Sequence, residues 1–326
     1  MIGEHKIFEI ASKTEFETAS LDVFQHQYRH NKVYREFCDY LRMAPPKVNQ
    51  RSEIPFLPIG FFKTKRILSN TRAPEMVFTS SGTTGSSTSM HFVTDMGTYR
   101  RSYQQAFEQF YGPIEGYCVL ALLPSYLERE GSSLIFMVDD LIEKSKHPDS
   151  GFYLDDLEGL SLKLQRLDTQ GTTVLLIGVS FALLDLVENH SFKLRNTTIM
   201  ETGGMKGRRK ELIRKELHAI LQKGFGVDRI HSEYGMTELL SQAYSIGNGI
   251  FHTPLWMDVL IRDTEDPMKI LDKGQTGGIN IIDLANINSC SFIATQDLGK
   301  RYQDGSFEVL GRFDHSDIRG CNLMVL

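Results

Sequence analysis

TVLLIGVSFALLDLVENHSFKLRNTTIME, residues 173–201, decides the fold. Its first seven positions form a short apolar run, residues 181–188 carry apolar side chains at helical spacing, and 197–201 return to a strand-like run. A strand, a helix and a second strand in one stretch make a crossover unit, and such crossovers are right-handed and leave their strands parallel. The same rhythm extends outward in both directions. Strand-like runs stand at 76–79, 117–123 and 229–233, with helical patterns at 95–110, 132–143 and 207–222. In the first of these helices Met96, Tyr99, Tyr103, Phe107 and Phe110 mark the apolar face. The expected class is therefore α/β, with mostly parallel sheets covered by helices. The first 45 residues read as helical, through Phe16, Ala19, Phe24, Tyr28, Val33, Phe37 and Leu41. A proline-containing stretch follows, which regular helix excludes. After Gly249 short strand-like runs separated by Gly and Asp predict a smaller β-rich lobe.

Composition sets outer limits. The chain has 326 residues, 41% hydrophobic and 24% charged, enough to bury a sizeable core. A net charge of −5 argues against a nucleic-acid partner, which needs a clustered basic face. The N-terminal MIGEHKIFEI places charges where a signal peptide needs an apolar centre. Thr172–Leu184, the longest uncharged and mainly apolar run, is shorter than the ~20 residues a membrane span requires. No membrane span and a cytoplasmic location are expected. The cysteines, Cys38, Cys118, Cys290 and Cys321, contain no C-x-x-C pair, and in a reducing compartment they are free thiols. The histidines show no ligand spacing.

Three further stretches carry chemistry. FTSSGTTGSS, residues 78–87, follows a predicted strand. In open α/β sheets ligands bind beyond the carboxyl ends of strands, and consecutive N–H groups in a Gly-rich turn form an anion nest. Phosphate suits it, although no Lys follows Gly85 as a Walker A loop requires; a solvent-exposed turn is the other reading. HSEYGMTELLS, residues 231–241, sets Tyr234, Thr237 and Glu238 around a glycine. They offer an aromatic face for a base, a hydroxyl for a phosphate oxygen and a carboxylate for Mg²⁺, or else the first turn of a helix. TQDLGKRYQDG, residues 295–305, precedes GRFDHSDIRG at 311–320. There Asp297 can accept both hydroxyls of a ribose and Arg312 can clamp the sugar or a phosphate. The alternative for Asp297 and Asp304 is ordinary turn chemistry.

In this order the motifs resemble the acyl-adenylate-forming superfamily. TSSGTTG looks like its phosphate loop, which implies phosphate contacts from Thr79, Ser80, Ser81, Gly82, Thr83, Thr84 and Gly85. YGMTE looks like the adenine-and-magnesium motif, so that Tyr234 meets adenine, Thr237 a phosphate and Glu238 the Mg²⁺ ion. DLG…DG…GR…D looks like the ribose motif of Asp297 and Arg312. Gly203-Gly204 look like the glycine pair that lies against adenine and the acyl group, and equally fit a tight strand-to-helix turn. Two departures stand out. Ser86 and Ser87 replace the usual continuation Pro-Lys-Gly, and Leu326 ends the chain where the superfamily enters a mobile C-terminal domain, which is expected to be missing.

PFLPIGFFK (55–63), LLPSYLEREGSSL (122–134), ETGGMKGRR (201–209) and DIRGCNLMV (317–325) are similar to a narrower group, the acyl-protein synthetases of the LuxE type. That resemblance implies activation of a carboxylic acid, a long-chain fatty acid, by Mg²⁺ and ATP to acyl-AMP. The acyl group then passes to Cys321, at the family's place near the C-terminus, and on to an acyl-reductase-type partner protein. Cys321, Thr237 and Glu238 become the expected catalytic residues. Arg129 and Glu130 either line the mouth of the site or form a solvated charge cluster. The expected division is a helical N-terminal segment with its crossing loop (1–75), an α/β nucleotide-binding region (76–250) and a β-rich lobe with the acyl-acceptor tail (251–326). Two other functions fit the same motifs: a shortened acyl- or aryl-CoA ligase, and a non-catalytic nucleotide-binding subunit of an acyl reductase complex.

Overall fold

The computed structural model describes residues 3–80, 88–124, 131–154, 156–203 and 212–312. Helices α1 (Lys13–His30) and α2 (Lys32–Tyr40) lead to strand β1 (Leu57–Pro58), helix α3 (Phe61–Thr64), strands β2 (Met76–Thr79) and β3 (Met90–Val93), and helix α4 (Met96–Tyr111). An alternating region follows: β4 (Cys118–Leu122), α5 (Ser133–Ser145), β5 (Gly151–Phe152), α6 (Leu157–Thr169), β6 (Val174–Val179), α7 (Ser180–Asn189), β7 (Thr197–Thr202), α8 (Arg214–Phe225) and β8 (His231–Tyr234). The last elements are all strands apart from one short 3₁₀ turn: β9 (Ala243–Ser245), β10 (Ile250–Phe251), β11 (Met257–Arg262), β12 (Thr276–Asp283), β13 (Phe292–Arg301) and β14 (Phe307–Arg312). Among the described residues no helix is long and apolar enough to cross a membrane.

Contacts group these elements into two compact units. One holds Met76–Ser81 and Met96–Pro254; the other holds Met1–Glu75, Gly82–Asp95 and Leu255–Leu326. In the first, a sheet runs in the order β5-β4-β6-β7-β8-β9. Its strands are parallel from β5 through β8, and β9 turns back antiparallel on β8. Every residue of β4 and β6 is buried, which is why their sequences are continuous apolar runs without alternation. Helix starts are written locally: Ser132 accepts from the N–H of Ile135 to open α5, and Asp156 does so from Gly159 to open α6. Helix α6 lies outside the patterns singled out from the sequence, yet Leu157, Leu160, Leu164 and Leu167 give it helical spacing. At its far end the Asp168 carboxylate accepts from the N–H groups of Arg195 (2.9 Å) and Asn196 (2.7 Å), fixing the entry to β7. The helix expected over 207–222 runs from Arg214 to Phe225; Leu212 and Ile213 precede it, and 207–211 lie outside the described residues.

The second unit is organised by β13. One of its edges carries β12, antiparallel. Its other edge is shared: parallel β1 pairs Leu57 with Ile293 and Pro58 with Ala294, and β14 takes over antiparallel from Asp297 onward. Proline is tolerated in β1 because that short strand pairs on one side only. Helix α1 is pinned by a buried glutamine. Gln27 Nε2 donates to the carbonyls of Asn286 (3.1 Å) and Ile287 (3.0 Å) and to Ser291 Oγ (3.2 Å), and its Oε1 accepts from the N–H of Ser291 (2.9 Å). Asn31 repeats the device, capping α2 at Tyr34 while donating to the carbonyl of Ser289 at 2.9 Å.

Candidate functional site

Register places one group of motif residues at a common edge of the parallel sheet. Leu122 pairs with Gly178, Gly178 with Glu201, Val179 with Thr202 and Thr202 with Glu233. The chain therefore leaves β6 at Ser180, β7 at Gly203 and β8 at Gly235 on the same side, where parallel sheets receive ligands. Gly203 has φ +70°, a left-handed conformation that glycine adopts without steric cost. Gly204 lies outside the described residues. Tyr234 ends β8 half-buried, with its ring edge-on to Phe251 at 5.9 Å. Thr237 and Glu238 follow on a turn in which the N–H of Leu239 donates to the carbonyl of Met236 at 3.0 Å. No helix forms over 235–242, so the helix-start reading of this motif does not describe it. Thr237 is half-buried and Glu238 is buried.

Of the expected phosphate loop, Thr79 and Ser80 are described and half-buried, and the N–H of Thr79 donates to the carbonyl of Gly131 at 2.8 Å. Ser81, Gly82, Thr83, Thr84 and Gly85 lie outside the described residues, as do Arg129, Glu130 and Cys321. The ribose candidates belong to the other unit. Asp297 is buried within β13, paired in register with Arg312 of β14, and Arg312 Nε stands 3.4 Å from Asp297 Oδ1. Turn chemistry belongs to Asp304 instead, whose Oδ1 accepts from the N–H (2.9 Å) and hydroxyl (2.6 Å) of Ser306. Cys38, Cys118 and Cys290 are buried free thiols. Burial pushes Cys38 up to about 12 and raises the other two.

Beneath the shared sheet edge lies a polar cluster to whose members the motifs assign no role. Glu201 is buried, and burial works to raise its carboxyl, but His218, Arg214 and Ser232 outweigh that and hold it below the ordinary value. His218 Nε2 stands 3.5 Å from Glu201 Oε1, and Ser180 Oγ 3.3 Å from Oε2. Glu233 behaves oppositely: burial pushes its carboxyl up to about 7, with the neighbouring Glu201 charge adding to the rise against a hydrogen bond donated by Thr202 Oγ1. A Cβ on Gly235 would fall 2.4 Å from Glu233 Oε1, so a larger residue there would have to displace this carboxyl. The trace of the cluster in the sequence is a carboxylate inside each of two runs otherwise read as buried strand.

Comparison with known proteins bears on this arrangement. The profile of the family "Acyl-protein synthetase, LuxE" matches residues 8–119 and 142–326. A long-chain-fatty-acid–luciferin-component ligase from Vibrio harveyi is 22% identical over 325 residues, covering 92% of this chain and 84% of the relative. One of the same name from Photorhabdus luminescens is 39% identical over 66 residues, covering 20% of this chain and 56% of that one. Among solved structures, ATP-bound MatB from Rhodopseudomonas palustris superposes with a TM-score of 0.54 at 17% identity over 72% of this chain. The chain spans about half of MatB, 47% of its length. An open conformation of 2-hydroxyisobutyryl-CoA ligase gives a TM-score of 0.66 at 12% identity, covering 93% of this chain and 70% of that one. These likenesses establish the fold, the α/β class of the adenylate-forming enzymes expected from the sequence. Matched by the family profile along both of these long stretches, the chain belongs to the acyl-protein synthetase family, LuxE.

Proposed function

We propose that this protein activates a carboxylic acid, a long-chain fatty acid, with ATP to give acyl-AMP, takes the acyl group onto Cys321 as a thioester, and hands it to an acyl-reductase-type partner. The observation that carries the reading is the family match over 8–119 and 142–326, stretches that include the phosphate-loop, glycine-pair, YGMTE and ribose motifs. The names of the relatives from Vibrio harveyi and Photorhabdus luminescens support the choice of acid and of partner. The chain acts as one adenylation-type unit whose motifs are spread over residues 79–321.

In this reading the substrate carboxylate attacks the α-phosphate of ATP and pyrophosphate leaves. A carboxylate arrives already charged, so the step needs little proton transfer, and rate comes from positioning and charge neutralisation. Donors of Thr79–Gly85 hold the phosphates, the Thr237 hydroxyl meets a phosphate oxygen, and Tyr234 with Gly203 and Gly204 flanks adenine. Asp297 accepts the ribose hydroxyls, and Arg312, 3.4 Å from its carboxylate, reaches the same sugar or a phosphate. Glu238 is a buried carboxylate on a turn, and no group of three His, Cys, Asp or Glu side chains suited to a metal exists among the described residues. Mg²⁺ held by one carboxylate and substrate phosphates needs no such group, so the residues fit the ion. When bound there it would neutralise phosphate charge. A thioester then forms when the Cys321 thiolate attacks the acyl-AMP carbonyl and AMP departs; Arg319, two residues away, favours the thiolate.

The deciding experiment follows labelled fatty acid with ATP and Mg²⁺. Acid-dependent ATP–pyrophosphate exchange and a hydroxylamine-sensitive label on the protein are expected, and Cys321→Ser should keep the exchange and lose the label. Free acyl-CoA as product would instead indicate a CoA ligase. Absence of exchange with every acid would leave a nucleotide-binding subunit.

A further inference from the structure

We infer that Glu201 is a positioning residue of the nucleotide site, a buried carboxylate that fixes both walls flanking the base. The inference rests on the function proposed above and adds to it a residue to which no motif assigns a role. On one side, Ser180 Oγ, at the exit of β6, lies 3.3 Å from Glu201 Oε2 and 3.1 Å from the carbonyl of Gly203. Its single hydroxyl proton sits between the two acceptors, so the carboxylate sets where the serine stands and the serine sets where the glycine turn stands. On the other side, Arg214 Nη1 lies 3.9 Å from Glu201 Oε1, and the Arg214 guanidinium stacks over Phe251 at 4.8 Å. Phe251 in turn meets Tyr234 edge-on at 5.9 Å. Glu201 thus reaches, through one intermediary on one side and two on the other, the glycine turn after β7 and the aromatic ring that ends β8.

The chemistry of the site agrees with a charged carboxylate there. His218 Nε2 is 3.5 Å away and is itself backed by Ser232 Oγ at 3.4 Å, while β6 and β8 flank the residue in register through Gly178 and Ser232. Ser180 and His218 lie within hydrogen-bond distance of this buried carboxylate and Arg214 pairs with it by charge at 3.9 Å, and a buried anchor held by several partners keeps its distance from both walls better than an exposed one. Glu201 is not itself a ligand in this account. It acts on ATP only through Gly203 and Tyr234.

The test uses the full chain with Glu201→Gln and Ser180→Ala. Kinetics of fatty-acid-dependent ATP–pyrophosphate exchange and calorimetric binding of ATP without acid are both measured, each repeated with GTP. Glu201→Gln should raise the KM and the Kd for ATP about tenfold, the effect of one lost hydrogen bond. The preference for ATP over GTP should fall by a similar factor, while kcat and the KM for the acid stay near wild type. Ser180→Ala, which removes only a hydroxyl, should move the same quantities by about threefold. A purely structural role would lower the unfolding temperature without changing base preference. Folded variants with unchanged ATP affinity and unchanged preference overturn the inference, and if Glu201→Gln does not fold, Ser180→Ala alone decides it. Wild-type protein that neither binds ATP nor exchanges pyrophosphate removes the proposed function and this inference together. Wild-type exchange with indifferent variants removes this inference only.

Discussion

Replacing Glu233 with glutamine should tilt the pH dependence of stability. Burial lifts this carboxyl from its ordinary 4.5 to about 7. Between those values the unfolded chain has lost the proton and the folded chain has kept it, so the folded state binds more protons and its stability falls as pH rises. At 1.36 kcal/mol per unit of pKa difference, the loss across the window is about 3 kcal/mol. Glutamine has no such proton and no such slope. His231 works in the opposite sense, because burial holds it from 6.5 down to about 4. The stability it contributes is complete above 6.5 and is lost as pH falls toward 4. His231 is only partly buried, so its slope is the shallower one, and the wild-type profile should decline gently where the two windows overlap. Urea unfolding at half-unit steps from pH 4.5 to 8 reads the difference directly. Relative to wild type, Glu233→Gln should gain about 3 kcal/mol between pH 4.5 and 7 and nothing further above that. Parallel profiles for the two proteins would refute the assignment of a raised carboxyl to this position.

Glu238→Gln should fold normally and slow acid-dependent pyrophosphate exchange roughly 10²–10³-fold, the usual loss of one preorganised charge contact; near-normal exchange would take the metal role away from it. Asp297→Ala should weaken ATP binding by about 1.5–3 kcal/mol, with little loss for a nucleotide lacking both ribose hydroxyls. Calorimetry with the two nucleotides checks this, and equal losses would place Asp297 elsewhere. Gln27→Ala takes the glutamine's hydrogen bonds from the Ile287 carbonyl and the N–H of Ser291, while the Asn286 carbonyl keeps the N–H of Ser289, and at about 1 kcal/mol each the unfolding free energy should drop by about 2 kcal/mol. A drop below 1 kcal/mol in denaturant titration would mean that water replaces the glutamine.

Local pattern made the α/β unit readable in advance. The apolar runs of β4 and β6 are buried over their whole length, and burial on both faces is what an unbroken run requires. The helical spacing of Met96, Tyr99, Tyr103 and Phe107 became the buried face of α4 for the same reason, since periodicity records which side of an element meets the core. Motif spacing singled out Tyr234, Thr237 and Glu238, and the chain does turn there at the carboxyl end of a parallel strand.

Tertiary structure alone decided what pairs with what. Nothing near Leu57 and Pro58 announces Ile293 and Ala294 as partners, and Gln27 finds Ser291 across a separation of 264 residues. Such contacts depend on where loops bring the backbone, and no local period encodes that. The cluster around Glu201 was equally out of reach. A lone glutamate in TTIMET reads as a polar interruption of a strand, and it becomes an anchor only when Ser180 from α7 and Arg214 and His218 from α8 converge on it. Apolar burial is a property that each segment carries by itself. A buried charge is stable only through its partners, and those are chosen by the fold.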